Sequence, residues 1–150
     1  MEIEKIITQS KKVDIKIKGV KLLSKEEYKD NKDIIPSRPY RWWLKNSVEN
    51  TDDWNNIVHA VGVVSKRQSH SVLGVSPALE VELPVGFKRG DKLRIAGYLW
   101  TVLSSTLIHC DNVITEMAYK AKWRDSNSNT YETSDIKEWL DNWFVSVINN

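Results

Sequence analysis

Few side chains in this sequence are spaced so that they could do chemistry together. Cys110 is the only cysteine, and His109 precedes it directly. Adjacent side chains of a strand point to opposite faces, so this pair would not form a nucleophile with its base. We expect Cys110 to be a small core residue. A single cysteine also forms no intrachain disulfide and no thiolate zinc cluster.

The histidines and acidic residues also lack the spacing of a metal site. His59, His70 and His109 are scattered, and no His-x-x-x-His pattern occurs. Asp52 and Asp53 could offer oxygens to a calcium ion, which needs about 6–8 of them, but no second oxygen-rich loop accompanies them. A calcium site there is the less favoured alternative. We therefore predict no catalytic residues, no metal, no cofactor and no enzymatic activity.

Length and composition indicate one ordinary globular domain. The chain has 150 residues, of which 41% are hydrophobic, 28% are charged and seven are tryptophan. A net charge of +2 is too small to favour nucleic acid or an acidic membrane as a partner. No apolar run approaches the roughly 20 residues of a membrane-spanning helix, and the N-terminus lacks the features of a signal peptide. We therefore expect a cytoplasmic protein without membrane contact.

The N-terminal half predicts an edge strand followed by a capped helix. Residues 13–17 alternate between apolar and charged side chains, which is typical of a half-buried strand. The lysines on its polar face suit the edge of a sheet, and this edge is where we expect a second copy of the chain to pair, if one does. Ser24 and Glu27 form the capping-box pattern of a short helix over residues 25–30.

The middle of the chain is organised around two adjacent tryptophans. Trp42 and Trp43 should lie in one strand and face two different layers. The apolar run over residues 57–65 predicts a single central strand, and Pro77 should begin the next one. Residues 84–91 carry turn-forming residues at both ends and predict an internal joint.

The C-terminal half predicts two hairpins and a helix. The hairpins turn at Ala96-Gly97 and at Asp111-Asn112. Apolar residues at helical spacing predict an amphipathic helix over residues 135–148, capped by Ser134 or Asp135. We expect truncation of Trp139 in this helix, or of Trp43, to cost about 3–5 kcal/mol each, as for core aromatics.

Five short segments resemble motifs of a family of uncharacterised bacterial and phage domains. Trp42–Ser47 resembles the family's WWLRSPG-like motif, and residues 74–79 resemble its GVRPAL-like motif. Residues 22–27, 100–103 and 133–144 resemble its LLSxEE step, its WxVL strand and its C-terminal W-L-N helix. The resemblance implies a C-type-lectin-like fold, shared with formylglycine-generating enzymes and with phage receptor-binding domains.

The order of these motifs differs from that of the family. The WxVL strand and the helix come first there and last here, so the resemblance implies a circular permutation with its joint near residues 84–91. The motif arginines are replaced by Lys45 and Ser76, which cannot form a bidentate fork. We predict one α+β domain over residues 1–150, in which an irregular antiparallel sheet packs on two helices. The strands containing Trp42 and Trp100 should then be neighbours.

The resemblance implies a binding role, because lectin-like domains present variable loops on a fixed scaffold. We predict a non-catalytic, phage-encoded interaction module that recognises a protein partner through two polar loops. The candidate contact residues are Lys45, Asn46, Trp54, Trp123 and Arg124, which combine aromatic, basic and polar groups. Two alternatives remain open: a structural component of a virion or other assembly, and, less favoured, a sugar-binding module.

Overall fold

The computed structural model describes residues 2–6, 11–122 and 128–148. These residues form a single α+β domain with two sheets and two α-helices. The strands are β1 (Glu2–Ile6), β2 (Lys11–Asp14), β3 (Lys16–Leu22), β4 (Trp42–Ser47), β5 (Trp54–Val58), β6 (Val64–Gln68), β7 (Val72–Val75), β8 (Pro77–Glu82), β9 (Lys92–Ile95), β10 (Tyr98–Ser104), β11 (Leu107–Cys110) and β12 (Thr115–Ala118). The helices are α1 (Lys25–Asn31) and α2 (Asp135–Trp143), which continues as a π-helical turn over Phe144–Ile148.

Both helices begin where the sequence predicts. The Ser24 hydroxyl accepts the Glu27 N–H, and the Glu27 carboxylate accepts the Ser24 N–H, so α1 starts with a complete capping box. The Ser134 hydroxyl accepts the Lys137 N–H at the start of α2. Ile136 and Leu140 of α2 are buried against the rest of the domain. No helix among the described residues is long and apolar enough to cross a bilayer.

The larger sheet has seven antiparallel strands in the order β2-β1-β9-β10-β11-β8-β3. The predicted edge strand is confirmed as β3, which pairs with β8 alone among the described strands. Its bounds differ from the prediction, because residues 13 and 14 belong to β2 and the strand continues through Gly19 to Leu22. The predicted Ala96-Gly97 hairpin is confirmed between β9 and β10.

The smaller sheet has the order β12-β7-β4-β5-β6. Its strands β4 and β7 run parallel and meet at one residue pair, Trp42 with Gly74. Trp42 and Trp43 are both buried, and they pack in two different hydrophobic clusters, as predicted. This single parallel contact is the feature that shapes the candidate site described below.

The prediction of a single strand over residues 57–65 is wrong. Val58 ends β5 and Val64 begins β6, and the residues between them turn the chain back into a hairpin. Gly62 has a φ of +87°, in the left-handed region that favours glycine. Val61 and Val63 are exposed at the turn. An uninterrupted apolar run therefore contained a turn.

The predicted hairpin at Asp111-Asn112 is also wrong. Before these residues β11 pairs within the larger sheet, and after them β12 pairs with β7 in the smaller sheet. The chain makes a second crossing at Ser76, between β7 and β8. The Ser76 hydroxyl, shared between the carbonyl oxygens of Cys110 and Asn112 at 3.0 Å each, holds the two crossings together. Two turns that look local in sequence thus link the sheets, in addition to the passage from β3 through α1 to β4.

The strands containing Trp42 and Trp100 are not neighbours, because β4 and β10 lie in different sheets. The expected adjacency of these strands is therefore wrong, although both belong to one domain. Residues 83–91, which include the expected joint, connect β8 to β9 without a helix or strand.

Candidate functional site

Two of the predicted contact residues make contacts within the domain. The Lys45 ammonium lies 5.4 Å from the centre of the Tyr131 ring. The Asn46 side-chain oxygen accepts the backbone N–H of Lys25 at 2.8 Å and so supports the first turn of α1. Asn46 also lines an open polar cleft of about 480 Å³, whose acidic side chains are Glu26 and Glu49.

Of the remaining predicted residues, Trp54 lies among the described ones. The Trp54 ring is half-buried and is covered by the Lys66 ammonium at 5.3 Å from its centre. Trp123 and Arg124 lie outside the described residues. Trp54 is therefore less exposed than Tyr40, which is 55% exposed and lines a different cleft.

A second cleft lies where β4 and β7 diverge from their single parallel contact. It has a volume of about 460 Å³, and its sides are residues 39–41, which lead into β4, and residues 72–74 of β7. His59 and Ala60 after β5 and Glu116 of β12 complete the lining. The Gly74 N–H donates to the Arg41 carbonyl oxygen at 2.9 Å, next to the Trp42–Gly74 pair. The cleft is thus a consequence of how the sheet is paired.

The lining of this cleft combines an aromatic ring, apolar side chains and both signs of charge. Tyr40 is 55% exposed and Val72 is 65% exposed. Arg41 and Glu116 are also exposed and supply one cation and one anion. Tyrosine and arginine are enriched among the residues that dominate protein–protein binding. We call this surface the β4–β7 cleft.

A buried arginine holds in place the segment that leads into β4 and lines the cleft. Arg38 is 5% exposed and lies over the Trp42 ring, with its guanidinium carbon 4.6 Å from the ring centre. It donates to the carbonyl oxygens of Pro36, at 2.7 Å, and of Cys110. These bonds tie the segment before β4 to the end of β11. Burial lowers the pKa of Arg38 to about 10, so it is still a cation at neutral pH.

His109 completes this buried group and is held neutral. Its Nε2–H donates to the Ser76 carbonyl oxygen at 3.1 Å, which leaves Nδ1 to accept from Arg38 at 3.4 Å. Burial, and then the charge of Arg38, hold the pKa of His109 well below its usual value. Cys110 faces a different cluster, as expected for the next residue of a strand, and burial raises the pKa of its thiol to about 12.

We expect His109 to make the protein less stable in mild acid. The unfolded histidine takes up a proton near pH 6.5, whereas the folded one does so only well below that value. The stability is therefore complete above about pH 6.5 and falls with decreasing pH, by up to about 1.4 kcal/mol per unit. Urea unfolding should show a loss of about 1–2 kcal/mol between pH 7 and pH 5. His109→Gln should flatten that slope, and an unchanged slope would contradict this account.

Sequence reasoning missed Arg38, Tyr40 and Arg41. The signal was present, because Pro36 and Pro39 hold this segment extended and leave basic and aromatic residues between and after them. Its partner segment at Val72 could not be found in this way. The two segments are brought together only by the parallel pairing of β4 and β7, which the sequence does not encode locally.

Comparison with known proteins assigns no family. No protein-family model matches the chain, and neither a curated protein nor a solved structure is significantly similar to it. Among the described residues, no group of three or more histidine, cysteine, aspartate or glutamate side chains could hold a metal ion. The function is therefore argued from the clefts and their lining side chains.

Proposed function

We propose that this protein is a non-catalytic interaction module that binds a protein partner at the β4–β7 cleft. The observation that carries the proposal is the exposed Tyr40 ring beside Arg41 and Val72 at the mouth of a preformed cleft. Its volume of about 460 Å³ lies within the range of roughly 300–1,000 Å³ typical of binding pockets. The polar loops around Asn46 become a secondary contact region in this proposal.

The chemistry of the lining defines the partner segment. Tyr40 and Val72 present apolar surface that suits an apolar side chain of the partner. Arg41 can form a bidentate pair with a carboxylate placed next to that side chain. Glu116 on the opposite wall disfavours a second acidic group there. The partner segment is therefore one that places an apolar residue next to an acidic residue.

We further propose that the fold is a permuted C-type-lectin-like domain. Support comes from the five motifs and from the contact between two of them, whereas the strands of Trp42 and Trp100, expected to be neighbours in such a fold, lie in different sheets. The Trp42 motif and the segment over residues 74–79 contact each other at the Trp42–Gly74 pair. The latter segment then continues into β8, which reaches the WxVL strand β10 through β11. A common ancestor with exchanged halves would preserve such contacts.

Affinity capture from the native host tests the proposed cleft. The Tyr40→Ser, Val72→Ser double variant should lose at least about tenfold of one specific captured protein, which corresponds to about 1.4 kcal/mol of binding free energy. Val85→Ser is a matched control, because Val85 is a fully exposed valine in the loop between β8 and β9. Glu49→Ser tests the polar cleft beside Asn46 in the same way.

The variants separate the alternatives clearly. All of these side chains are exposed, so we expect each variant to keep its stability within about 0.5 kcal/mol. Equal capture by the double variant and the wild type would overturn the β4–β7 cleft. Loss of the captured protein only in Glu49→Ser would move the site to the polar loop.

A further inference from the structure

A small cavity next to the β4–β7 cleft is lined by basic side chains and by no acidic one. Its volume is about 80 Å³, and its lining includes Lys32, Arg38 and His59. Tyr28, Trp42 and Gly62 are among the other lining residues. Since each water molecule takes up about 30 Å³, the cavity has room for one small polar group.

The basic groups of this cavity lack acidic partners. Arg38 is buried, and no carboxylate among the described residues forms an ion pair with it. Its Nε and the Nδ1 of His59 are buried without a hydrogen-bond partner in the part of the chain that the structure describes. The charge of Asp111 favours the Arg38 cation, but a buried cation without an ion pair keeps a desolvation cost, which a bound anion would offset.

The Tyr28 hydroxyl does not serve as a partner for these basic groups. The Tyr28 hydroxyl donates to the Gly62 carbonyl oxygen at 2.8 Å, so it is already used to fix the turn after β5. The Lys32 side chain approaches the same turn. It forms no ion pair with the described residues. The cavity therefore has two cationic side chains and one imidazole available for an anionic oxygen.

We propose that this cavity is a binding site for a small oxyanion group, a carboxylate or a phosphate, held by Lys32, Arg38 and His59. The unpartnered Nε–H of Arg38 can donate to one oxygen of either group, and the lysine adds a point charge. His59 lines both this cavity and the β4–β7 cleft, so a bound oxyanion lies next to the proposed partner site. The oxyanion site itself does not depend on partner binding.

Thermal unfolding with added anions tests the site. Sodium phosphate and sodium acetate are compared with sodium chloride at constant ionic strength. At an anion concentration ten times its dissociation constant, we expect the melting temperature to rise by about 3–6 °C over the chloride reference. Lys32→Gln and His59→Gln should each reduce this rise by at least half. Lys29→Gln should leave it unchanged, because Lys29 is an exposed lysine of α1 outside the cavity lining.

A second measurement reports on Arg38 without mutating it. The ¹H–¹⁵N resonance of its Nε–H should shift with phosphate or acetate along a saturable curve, with the same dissociation constant as the thermal rise. An unshifted resonance, or an equal thermal rise in Lys32→Gln and the wild type, would overturn the proposal.

The source of the oxyanion is decided by competition. If it belongs to the partner, saturating phosphate should lower partner capture by the wild type and have no effect on capture by Lys32→Gln. If it is a free ion, capture by the wild type should be the same with and without phosphate while the thermal rise remains.

Discussion

Trp43→Ala should lower the free energy of unfolding by about 3–5 kcal/mol, the cost of truncating a large core aromatic. The Trp43 side chain is completely buried, and its indole N–H donates to the Met117 carbonyl oxygen at 3.0 Å. It packs edge-on against Tyr119 and shares a cluster with Ile136 and Leu140 of α2. The substitution therefore leaves a cavity between the smaller sheet and the helix. Urea unfolding monitored by circular dichroism measures the loss.

Trp139→Ala is the control for this effect. Here the structure corrects the cost that was predicted from the sequence. The two truncations were expected to cost the same, but Trp139 is only half-buried. Its ring stacks on Trp143, with the ring centres 6.3 Å apart, and packs against the Trp43 cluster while it is still partly exposed. We therefore expect less than half of the Trp43→Ala loss. Equal losses in the two variants would contradict the assignment of Trp43 to the core.

Gly74→Ala should cost about 1–3 kcal/mol, because it overpacks the single contact between β4 and β7. A Cβ atom at this position would lie 2.8 and 2.9 Å from the two Val113 methyl carbons and 3.0 Å from the Arg41 carbonyl oxygen. These distances are too short for non-bonded contacts, so Val113 and the Arg41 carbonyl group must shift relative to β7. Gly74 and Arg41 both line the β4–β7 cleft, so its shape would change, and partner binding should weaken along with stability.

Gly19→Ala provides the matched control in another strand. A Cβ atom there would meet only the Glu80 side-chain oxygen, at 3.4 Å, and that side chain is exposed and can turn away. We expect its free energy of unfolding to stay within about 0.5 kcal/mol of the wild type. If both glycine variants had the same stability, the tight packing at Gly74 would be refuted.

Local signals in the sequence predicted the elements that are fixed by local chemistry. The capping box of Ser24 and Glu27, the cap at Ser134 and the turn at Ala96-Gly97 each depend on residues within about four positions of one another. Their structures follow from short-range hydrogen bonds and from backbone preferences. These elements were therefore predicted with bounds close to those observed.

The long-range arrangement did not follow from such signals. Ser76 and Asp111-Asn112 look like ordinary turn or strand residues, yet the chain crosses between the sheets at both places. The hydrogen bonds that fix these crossings join residues more than 30 positions apart. No local pattern distinguishes a turn within a sheet from a link between two sheets.

In the candidate site, too, some properties follow from residue type and others only from the tertiary structure. Lys45 and Asn46 have side chains suited to recognition, but one lies over Tyr131 and the other supports α1. Tyr40 and Val72 become one surface only because β4 and β7 pair in parallel. Residue type could therefore suggest that binding groups exist, whereas their exposure and proximity are tertiary properties.

Photo-cross-linking from position 40 tests the central claim most directly. A photoreactive benzophenone amino acid is placed at Tyr40 in one protein and at Val85 in another, since both side chains are exposed. We predict that irradiation in native host extract joins one specific protein to position 40 and not to position 85, and that an excess of unlabelled wild-type protein prevents the adduct. Two results would contradict the β4–β7 cleft as the binding surface. One is that both positions give the same adducts, and the other is that no adduct at position 40 is prevented by the wild-type protein.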